Sequence, residues 1–426
     1  MGEGGMQARI LGFEEALAMV VGHAAGLGAP RAETVELLQS RGRVLAEDVV
    51  ADRDMPPFDR ATRDGFAVRA AEWIRGRKLR VVGQVRAGES WGGGAVSSGC
   101  AVEIMTGAAV PGGVDAVAMV EHMETADEEA WAAAGRGLTA GENIVARGSE
   151  ARRGDVLVSA GTAVSAAEIA VGAACGYAKL SVRARPRVAI VATGDELVEV
   201  DEVPGEWQIR NSNGYALAAL VEAAGGQAER LGIARDMRED LLARIEEGRK
   251  SDLLLLSGGV SAGKYDLVEQ VLGELGAEFL FTGVRMQPGR PVVFGRLPGS
   301  ESASQQVSES AGRCGWTYFF GLPGNPVSTE VTFRCFVEPV LRAMCGATVA
   351  GPRFAQATLA EAVNSKTGLT RLLPARLTSD LTRPCVRLVG WQGSGDLAAN
   401  ARANCYAVLP DGRDLAAGDV ITLLLR

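Results

Sequence analysis

Apolar residues Phe13, Ala16, Leu17, Val20, Val21 and Ala24 recur every three or four positions between polar neighbours, which predicts an amphipathic helix near the start of the chain. A second helical piece is expected over 33–39, leading into a strand in VLAEDVVA. From about 48 to 148 the pattern shortens. Apolar runs such as KLRVVGQV, CAVEIM and DAVAMVEHM alternate with the Gly-rich turns WGGGAVSSG and PGGVD, the texture of a small β-rich domain. Over 154–180 the chain turns partly helical again, so a β module inserted into a helical segment is predicted.

Between 187 and 346 apolar strands alternate with amphipathic helices. VAIVATG, the segment near AERLGIA, LLLLSGG, AEFLFTGV and YFFGLPG are the expected strands, and 214–224, 238–247, 267–275 and 327–344 the expected helices. Such alternation predicts a parallel sheet covered on both faces. The serine-rich stretch 299–312 lies between two strand-like runs and is expected to be a loop. After Pro352 short strands return (FAQATLA, TRLLPARL, CVRLVGW, CYAVLPDG, DVITLLLR) and read as a small barrel or sandwich. The fold class is thus multidomain, α/β and β. A helical region spans 1–47 and 149–184, an inserted β-rich domain 48–148, a doubly wound α/β domain 185–347, and a C-terminal β domain 352–426.

Composition narrows the chemistry. In 426 residues, 44 Lys+Arg against 52 Asp+Glu give a formal charge of −8, so a broad basic nucleic-acid footprint is not expected. The two histidines, His23 and His122, cannot build a multi-histidine metal centre within one chain and sit in no nucleophile motif. The seven cysteines are scattered without a C-x-x-C pair, which fits buried free thiols in a reducing compartment. No signal-peptide layout opens the chain. The most apolar long stretch, 163–180, is broken by Glu168, so no membrane span and a cytoplasmic location are expected.

Three loops follow predicted strands, where an open α/β sheet binds ligands. They are Thr193-Gly194-Asp195-Glu196; residues 257–263, which include Ser257, Gly258, Gly259, Ser261 and Gly263; and residues 321–328, which include Pro323, Gly324, Asn325 and Ser328. The second puts three glycines and two hydroxyls before a helix. A tight turn and an anion cradle both fit it, and it is neither a P-loop nor a dinucleotide fingerprint. In the third, Asn325 fits an N-cap with Pro326 in the first helical turn, which is structural without any ligand, while Gly324 and Ser328 make the helix start anion-competent. Pro288-Gly289-Arg290-Pro291 sets a cation among prolines, either as a site or as a Pro-rich turn with a solvated arginine. Asp195, Glu196, Asp236 and Asp266 follow successive strands and loops. Taken singly each reads as a cap or surface charge; together with the glycine loops they read as an anion site where a hard divalent cation bridges phosphate to carboxylate.

TGDEL (193–197), SGGVSAGKYD (257–266), PGRP (288–291) and GLPGNPVS (321–328), with MPPFDRATRDGFAVR (55–69), IMTGAAVP (104–111), GENIVARGSE (141–150) and QGSGDLAANARANCYAVLP (392–410), resemble in order the molybdopterin molybdenumtransferase family, MoeA and the E domain of gephyrin. The resemblance implies a homodimer of four-part subunits with a molybdopterin-binding α/β domain and a C-terminal β-barrel, in which the inserted domain of one subunit faces the α/β domain of the other. It implies a Mg²⁺-assisted reaction of adenylylated molybdopterin with molybdate that releases AMP, with the molybdopterin adenylyltransferase as an expected partner. Carried over by position, Asp59, Thr106 and Glu150 would come from the inserted domain. Glu196, Asp236 and Asp266 would act around metal and substrate, with Glu196 and Asp266 as metal ligands. Residues 257–263 would hold the pterin-side phosphate, Pro288, Arg290, Ser328, Arg371 and Ser394 would form the molybdate pocket, and Thr193, Gly194, Gly289, Pro323, Gly324 and Asn325 would also bind substrate.

The chain departs from the family pattern at Arg60, Ala61 and Arg63, where the family has Asn, Ser and Met, and at Gln287 and Arg290, where it has lysines. Arginine at 290 keeps the charge and can grip an oxyanion bidentately. Loss of a cation at 287 weakens the pocket unless Arg60 or Arg63 of the partner subunit compensates. Two other readings stand beside this one: the adenylyltransferase, which resembles the α/β domain alone, and a divergent non-catalytic pterin-binding scaffold.

Overall fold

The computed structural model describes residues 9–133, 136–259, 267–299, 315–348, 351–364, 366–379 and 383–426. They divide into two compact units, the first made of residues 1–47, 161–166 and 179–426 and the second of 48–160 and 167–178.

The first unit is built on a six-stranded sheet. Four strands, Gln227–Ala234, Arg187–Thr193, Leu253–Ser257 and Trp316–Leu322, run parallel in that spatial order. LLLLS sits in the middle because every residue of it is apolar or small and both faces of the sheet are covered. Its side chains alternate between two cores. Leu253 and Leu255 pack with Ile190, Leu217, Val221 and Phe320, and Leu254 and Leu256 with Leu241, Ile245 and Val271. All four leucines are fully buried, each adding about 1.5–3 kcal/mol of transfer free energy. The helices Ser212–Ala223 and Pro326–Thr332 bury residues in the first core, and Arg238–Gly248 and Leu267–Glu274 in the second.

The sheet is not wholly parallel, as the alternation suggested. Val293–Pro298 and Glu278–Phe281 add an antiparallel edge, a common extension of parallel sheets. The helix Phe13–Ala25 forms as expected and buries Phe13, Ala16, Val20 and Ala24, with Phe13 edge-on to Phe336 at 6.2 Å; Val21 falls outside the stripe and is exposed. The expected helix over 33–39 does not exist. Ala32–Glu36 is a strand paired antiparallel with Lys179–Arg183, followed by a short 3-10 turn at Leu37–Ser40. The helix expected over 327–344 carries a π-turn at Phe333–Val337 between Pro326–Thr332 and Glu338–Met344. The serine-rich stretch expected to be a loop lies outside the described residues from 300 onward.

Of barrel and sandwich, the C-terminal region takes the first. Thr370–Ser379, Pro384–Leu388, Phe354–Leu359, Val420–Leu425 and Cys405–Leu409 pair in sequence, and the last returns to the first. The closed ring leaves no free edge among these strands. The second unit holds a six-stranded sheet with Gly65–Val68 and Cys100–Ile104 buried in it. Among the described cysteines, Cys175, Cys335, Cys345 and Cys405 are buried and free; burial pushes the Cys345 thiol up to about 12. No helix of the described residues is long and apolar enough to cross a membrane.

Within the first unit a buried charge cluster joins sheet-side helix to barrel. Glu330 accepts from Arg334 Nε and Arg426 Nε on Oε1, each at 2.9 Å, and from Arg426 Nη2 and Asn400 Nδ2 on Oε2, each at 2.8 Å. Burial alone would raise its pKa; the Arg426 and Arg334 cations and the hydrogen bonds outweigh that and hold the carboxyl below its ordinary value. Glu330→Gln takes from Arg426 the anion it pairs with and leaves Arg334 only Glu338, at 3.7 Å, and is expected to lower stability by about 3–5 kcal/mol, read by equilibrium unfolding in urea. The stability due to the depressed pKa is fully present above the ordinary glutamate value of about 4.3 and lost as pH falls through the lower folded value. The wild-type stability curve should therefore fall more steeply in that acid window than the variant's.

Candidate functional site

The strand order creates the site. From Arg187–Thr193 the chain crosses to Gln227–Ala234 on one side, then returns to place Leu253–Ser257 on the other. The loops leaving Thr193 and Ser257 therefore diverge, and a crevice opens at this switch point beyond the carboxyl ends of the strands. Here a cleft of about 760 Å³ is walled by Thr193, Gly194, Glu196, Asp236, Ser257, Gly258, Gly259, Pro323, Gly324 and Asn325, together with Pro291, Gly395 and the run Ile209–Asn213. Ten of the residues singled out from sequence thus converge on one hollow. Ser261, Gly263 and Asp266 lie outside the described residues.

Gly258 and Gly259 adopt φ of +97° and +64°. A Cβ on Gly258 would stand 2.5 Å from the Thr193 carbonyl oxygen, and one on Gly259 2.7 Å from Thr193 Oγ1. Only glycine lets these two loops lie against each other. The Gly258 N–H donates to the Leu322 carbonyl at 3.0 Å, which locks the third strand in as well. Thr193 Oγ1 is buried and has no hydrogen-bond partner among the described residues.

The acidic lip is held through its backbone. Arg235 Nη1 donates to the carbonyls of Asp195 and Leu197 at 3.2 and 3.1 Å, the Asp236 N–H to Asp195 Oδ1 at 3.2 Å, and the Ile209 N–H to the Glu196 carbonyl at 2.8 Å. The carboxylates of Glu196 and Asp236 stay exposed, and among the described residues neither forms an ion pair. Among these residues no cluster of three or more His, Cys, Asp or Glu side chains could hold a metal by itself. One or two exposed carboxylates beside a glycine loop nevertheless suit Mg²⁺, which keeps several waters and takes further ligands from phosphates.

Asn325 caps Pro326–Thr332 by position, with Pro326 in the first turn, but its side chain makes no capping hydrogen bond. Instead Asn325 Nδ2 donates to Ser394 Oγ at 2.9 Å, and the Val327 N–H to the Ser394 carbonyl at 3.0 Å. Ser328 is buried in the same helix. The Pro288–Arg290 turn packs against it, since a Cβ on Gly289 (φ +106°) would meet Thr332 Cγ2 at 2.5 Å. Arg290 is exposed and forms no ion pair among the described residues. Arg371 is half-buried in register with Gln287, and burial lowers its guanidinium pKa. Arg371 Nε and Gln287 Oε1 are both buried without partners among the described residues. Pro288, Gly289, Arg290, Ser328, Arg371 and Ser394 are not wall residues of the cleft, although Pro291 and Gly395 beside them are.

Asp59, Thr106 and Glu150 belong to the second unit. Asp64 Oδ1 accepts from both the N–H and Oγ1 of Thr106, at 2.6 and 2.8 Å, and these bonds hold its carboxyl below the usual range. Asp59 Oδ1 accepts from the Arg147 N–H at 2.8 Å. Arg60 is engaged within its own unit, pairing with Glu150 at 3.0 Å; Arg63 is exposed.

Sequence reasoning missed Asn211 and Asn213. Asn211 Oδ1 caps the helix Ser212–Ala223 by accepting from the Gly214 N–H at 2.9 Å. Asn213 Nδ2 bridges Ser257 Oγ at 3.1 Å and the Gly324 carbonyl at 2.7 Å, tying two of the three loops. The run N-S-N-G before an apolar periodicity carried that N-cap signal.

Three family models match the chain in order: MoeA N-terminal region (domain I and II) over residues 11–176, probable molybdopterin binding domain over 189–343, and MoeA C-terminal region (domain IV) over 356–425. The molybdopterin molybdenumtransferase of Staphylococcus aureus (strain COL) is 35% identical over 402 residues, 92% of this chain and 90% of that one. That of Staphylococcus epidermidis (strain ATCC 12228) is 33% identical over 401 residues, with the same two shares. The crystal structure of the molybdopterin biosynthesis MoeA protein from Pyrococcus horikoshii superposes with a TM-score of 0.76 at 27% identity, covering 98% of this chain and 100% of that one. With a relative this similar along nine-tenths of both sequences and family models matched from end to end, the chain is a member of the molybdopterin molybdenumtransferase (MoeA) family.

Proposed function

We propose that this protein inserts molybdenum from molybdate into adenylylated molybdopterin and releases AMP. The observation that carries the reading is the cleft itself. A glycine cradle at a topological switch point stands beside two carboxylates that form no ion pair among the described residues, in a chain whose curated relatives are named molybdopterin molybdenumtransferase.

The chemistry follows from the residues. Ser257, Gly258 and Gly259 offer a hydroxyl and closely approachable backbone to a phosphate, with Asn213 holding Ser257 and Gly324 in place. Glu196, with Asp236 and Asp266, would hold Mg²⁺, which when bound draws charge off a phosphoanhydride. A water oxygen bonds to one phosphorus as the anhydride bond breaks, so that AMP departs and the pterin keeps its own phosphate. Arg290, Ser328, Arg371 and Ser394 receive molybdate as co-substrate, and molybdenum bonds to the two dithiolene sulfurs as a molybdate oxygen leaves as water with the two thiol protons, the metal keeping its oxidation state. Neither a histidine nor a cysteine nucleophile is needed, which suits a chain whose described cysteines are mostly buried. Matches to N-terminal and C-terminal family regions on either side of the α/β domain favour this reading over an adenylyltransferase, which resembles that domain alone.

The working form is read as a cytoplasmic homodimer. Residues 48–148 form the inserted domain, whose Asp59 and Thr106, with Glu150 just after it, would serve the partner's α/β domain at 185–347; residues 1–47 with 149–184 are the helical region and 352–426 the barrel. The molybdopterin adenylyltransferase is the candidate donor of substrate. Arg60 pairs with Glu150 at the surface and Arg63 forms no ion pair among the described residues; either, from the partner subunit, would offset the missing cation at Gln287.

Arg290→Ala should raise the KM for molybdate about 10–100-fold, the worth of a charge-assisted hydrogen bond, with Arg290→Lys recovering part; steady-state AMP release against molybdate concentration measures it. Glu196→Gln should instead lower kcat by about 100-fold or more and shift the Mg²⁺ dependence to higher concentration. An unchanged Mg²⁺ profile in that variant would remove Glu196 from the metal. Gly258→Ala should abolish AMP release while the barrel remains folded, because the new methyl occupies the space of the Thr193 carbonyl; circular dichroism and the activity assay together decide it.

A further inference from the structure

The short barrel helix Leu397–Arg402 is held at both ends against the same sheet-side helix. At its start Asp396 accepts from the N–H groups of Ala399 and Gln392, at 2.9 and 3.0 Å. Ser394, two residues earlier, accepts from Asn325 Nδ2 and the Val327 N–H at 2.9 and 3.0 Å. Gly395 and Leu397 are walls of the cleft. At the far end Arg426 Nη1 donates to the carbonyls of Asn400 and Ala403 at 2.6 and 2.7 Å. The other edge of the same guanidinium grips both oxygens of Glu330 on Pro326–Thr332, at 2.9 and 2.8 Å. Asn400 closes the figure, donating to Glu330 at 2.8 Å and accepting from Tyr406 Oη at 2.7 Å.

A helix of this length is a stiff bar of about 9 Å at 1.5 Å per residue. Its buried end is fixed by a planar fork that satisfies a carboxylate on one side and helix-terminal carbonyls on the other. A cation is also favoured there by the helix dipole. Nothing in Arg426 reaches the cleft, yet the place of Ser394 and Gly395 follows from where this bar is pinned.

We propose that Arg426 is a positioning residue for the cleft. By joining Glu330 to the carbonyl end of Leu397–Arg402 it sets Ser394 and Gly395 against Asn325, and so shapes the oxyanion side of the site. A lysine can satisfy the carboxylate or the carbonyls but cannot span both with a rigid fork. The kinetic half of this inference rests on the function proposed above; the structural half does not.

Hydrogen exchange and steady-state kinetics on the full-length protein test it together. In Arg426→Gln, amides in segments 323–329 and 390–397 should exchange about tenfold faster than in wild type, beyond any change in the sheet. The KM for molybdate should rise about tenfold, with kcat per folded enzyme changed by less than about threefold. Arg426→Lys should fall between the two, and if the Gln variant does not fold, the Lys variant carries both readouts at smaller amplitude. Wild-type protection of 390–397 in a variant whose barrel exchanges faster, or an unchanged KM with activity falling only as the folded fraction falls, overturns the proposal. Wild-type protein that releases no AMP would defeat the functional reading alone, leaving the exchange result to decide this one.

Discussion

The contact on which the site depends is the approach of Gly258 to the Thr193 carbonyl, where a side chain would stand 2.5 Å away. At the switch point the chains leaving Arg187–Thr193 and Leu253–Ser257 turn in opposite directions, and their loops stay close here because Gly258 has no side chain. That closeness places the backbone of 257–259 beside the carboxylates of Glu196 and Asp236 in one hollow. It also explains why a hydroxyl, a glycine pair and two acids that are unremarkable singly become a site together. The crevice is a consequence of strand order, and the residues on it exploit a vacancy the topology creates.

Around that contact the chain spends its polar side chains on bracing. Arg235 holds the carbonyls of the acidic lip, Asn213 ties the second loop to the third, and Asn325 gives up the capping bond of its own helix to reach Ser394. Of the groups assigned to chemistry, Glu196, Asp236 and Arg290 form no ion pair among the described residues, whereas Ser257 and Ser394 are held by Asn213 and Asn325 and Arg371 donates to the Asn364 carbonyl. Preorganised backbone with uncommitted charge is what an anionic substrate and a hard cation require, because neither must first break an internal ion pair. The barrel joins this arrangement through the saturated Glu330 carboxylate, whose partners come from residues 334, 400 and 426.

Much of this was legible in the sequence because the signals are local. LLLL reads as a strand, five short apolar runs after Pro352 read as a small β domain, and the glycine loops together with the acids after the strands read as an anion site. The misses are long-range. Residues 33–39 have helical composition, but their partner strand at Lys179–Arg183 lies far along the chain and overrides that propensity. Asn325 was placed correctly at a cap, while its true side-chain partner, Ser394, is 69 positions away. The antiparallel edge was missed because apolar runs record burial and not direction. Asn211 and Asn213 were readable, as a capping signal ahead of Leu217 and Val221, and only the helix start was set too late. Arg60 shows the same limit from the other side: the departure from the family pattern is visible in sequence, but its pairing with Glu150 is not.

The account stands or falls on what the cleft does to adenylylated molybdopterin. Purified protein should be given that compound with Mg²⁺ and a molybdate series, and AMP followed alongside molybdenum bound to the pterin. AMP release that saturates with molybdate and matches the molybdenum incorporated is the predicted result. Tight binding of the compound without AMP release, or ATP consumption with no need for molybdate, would contradict it.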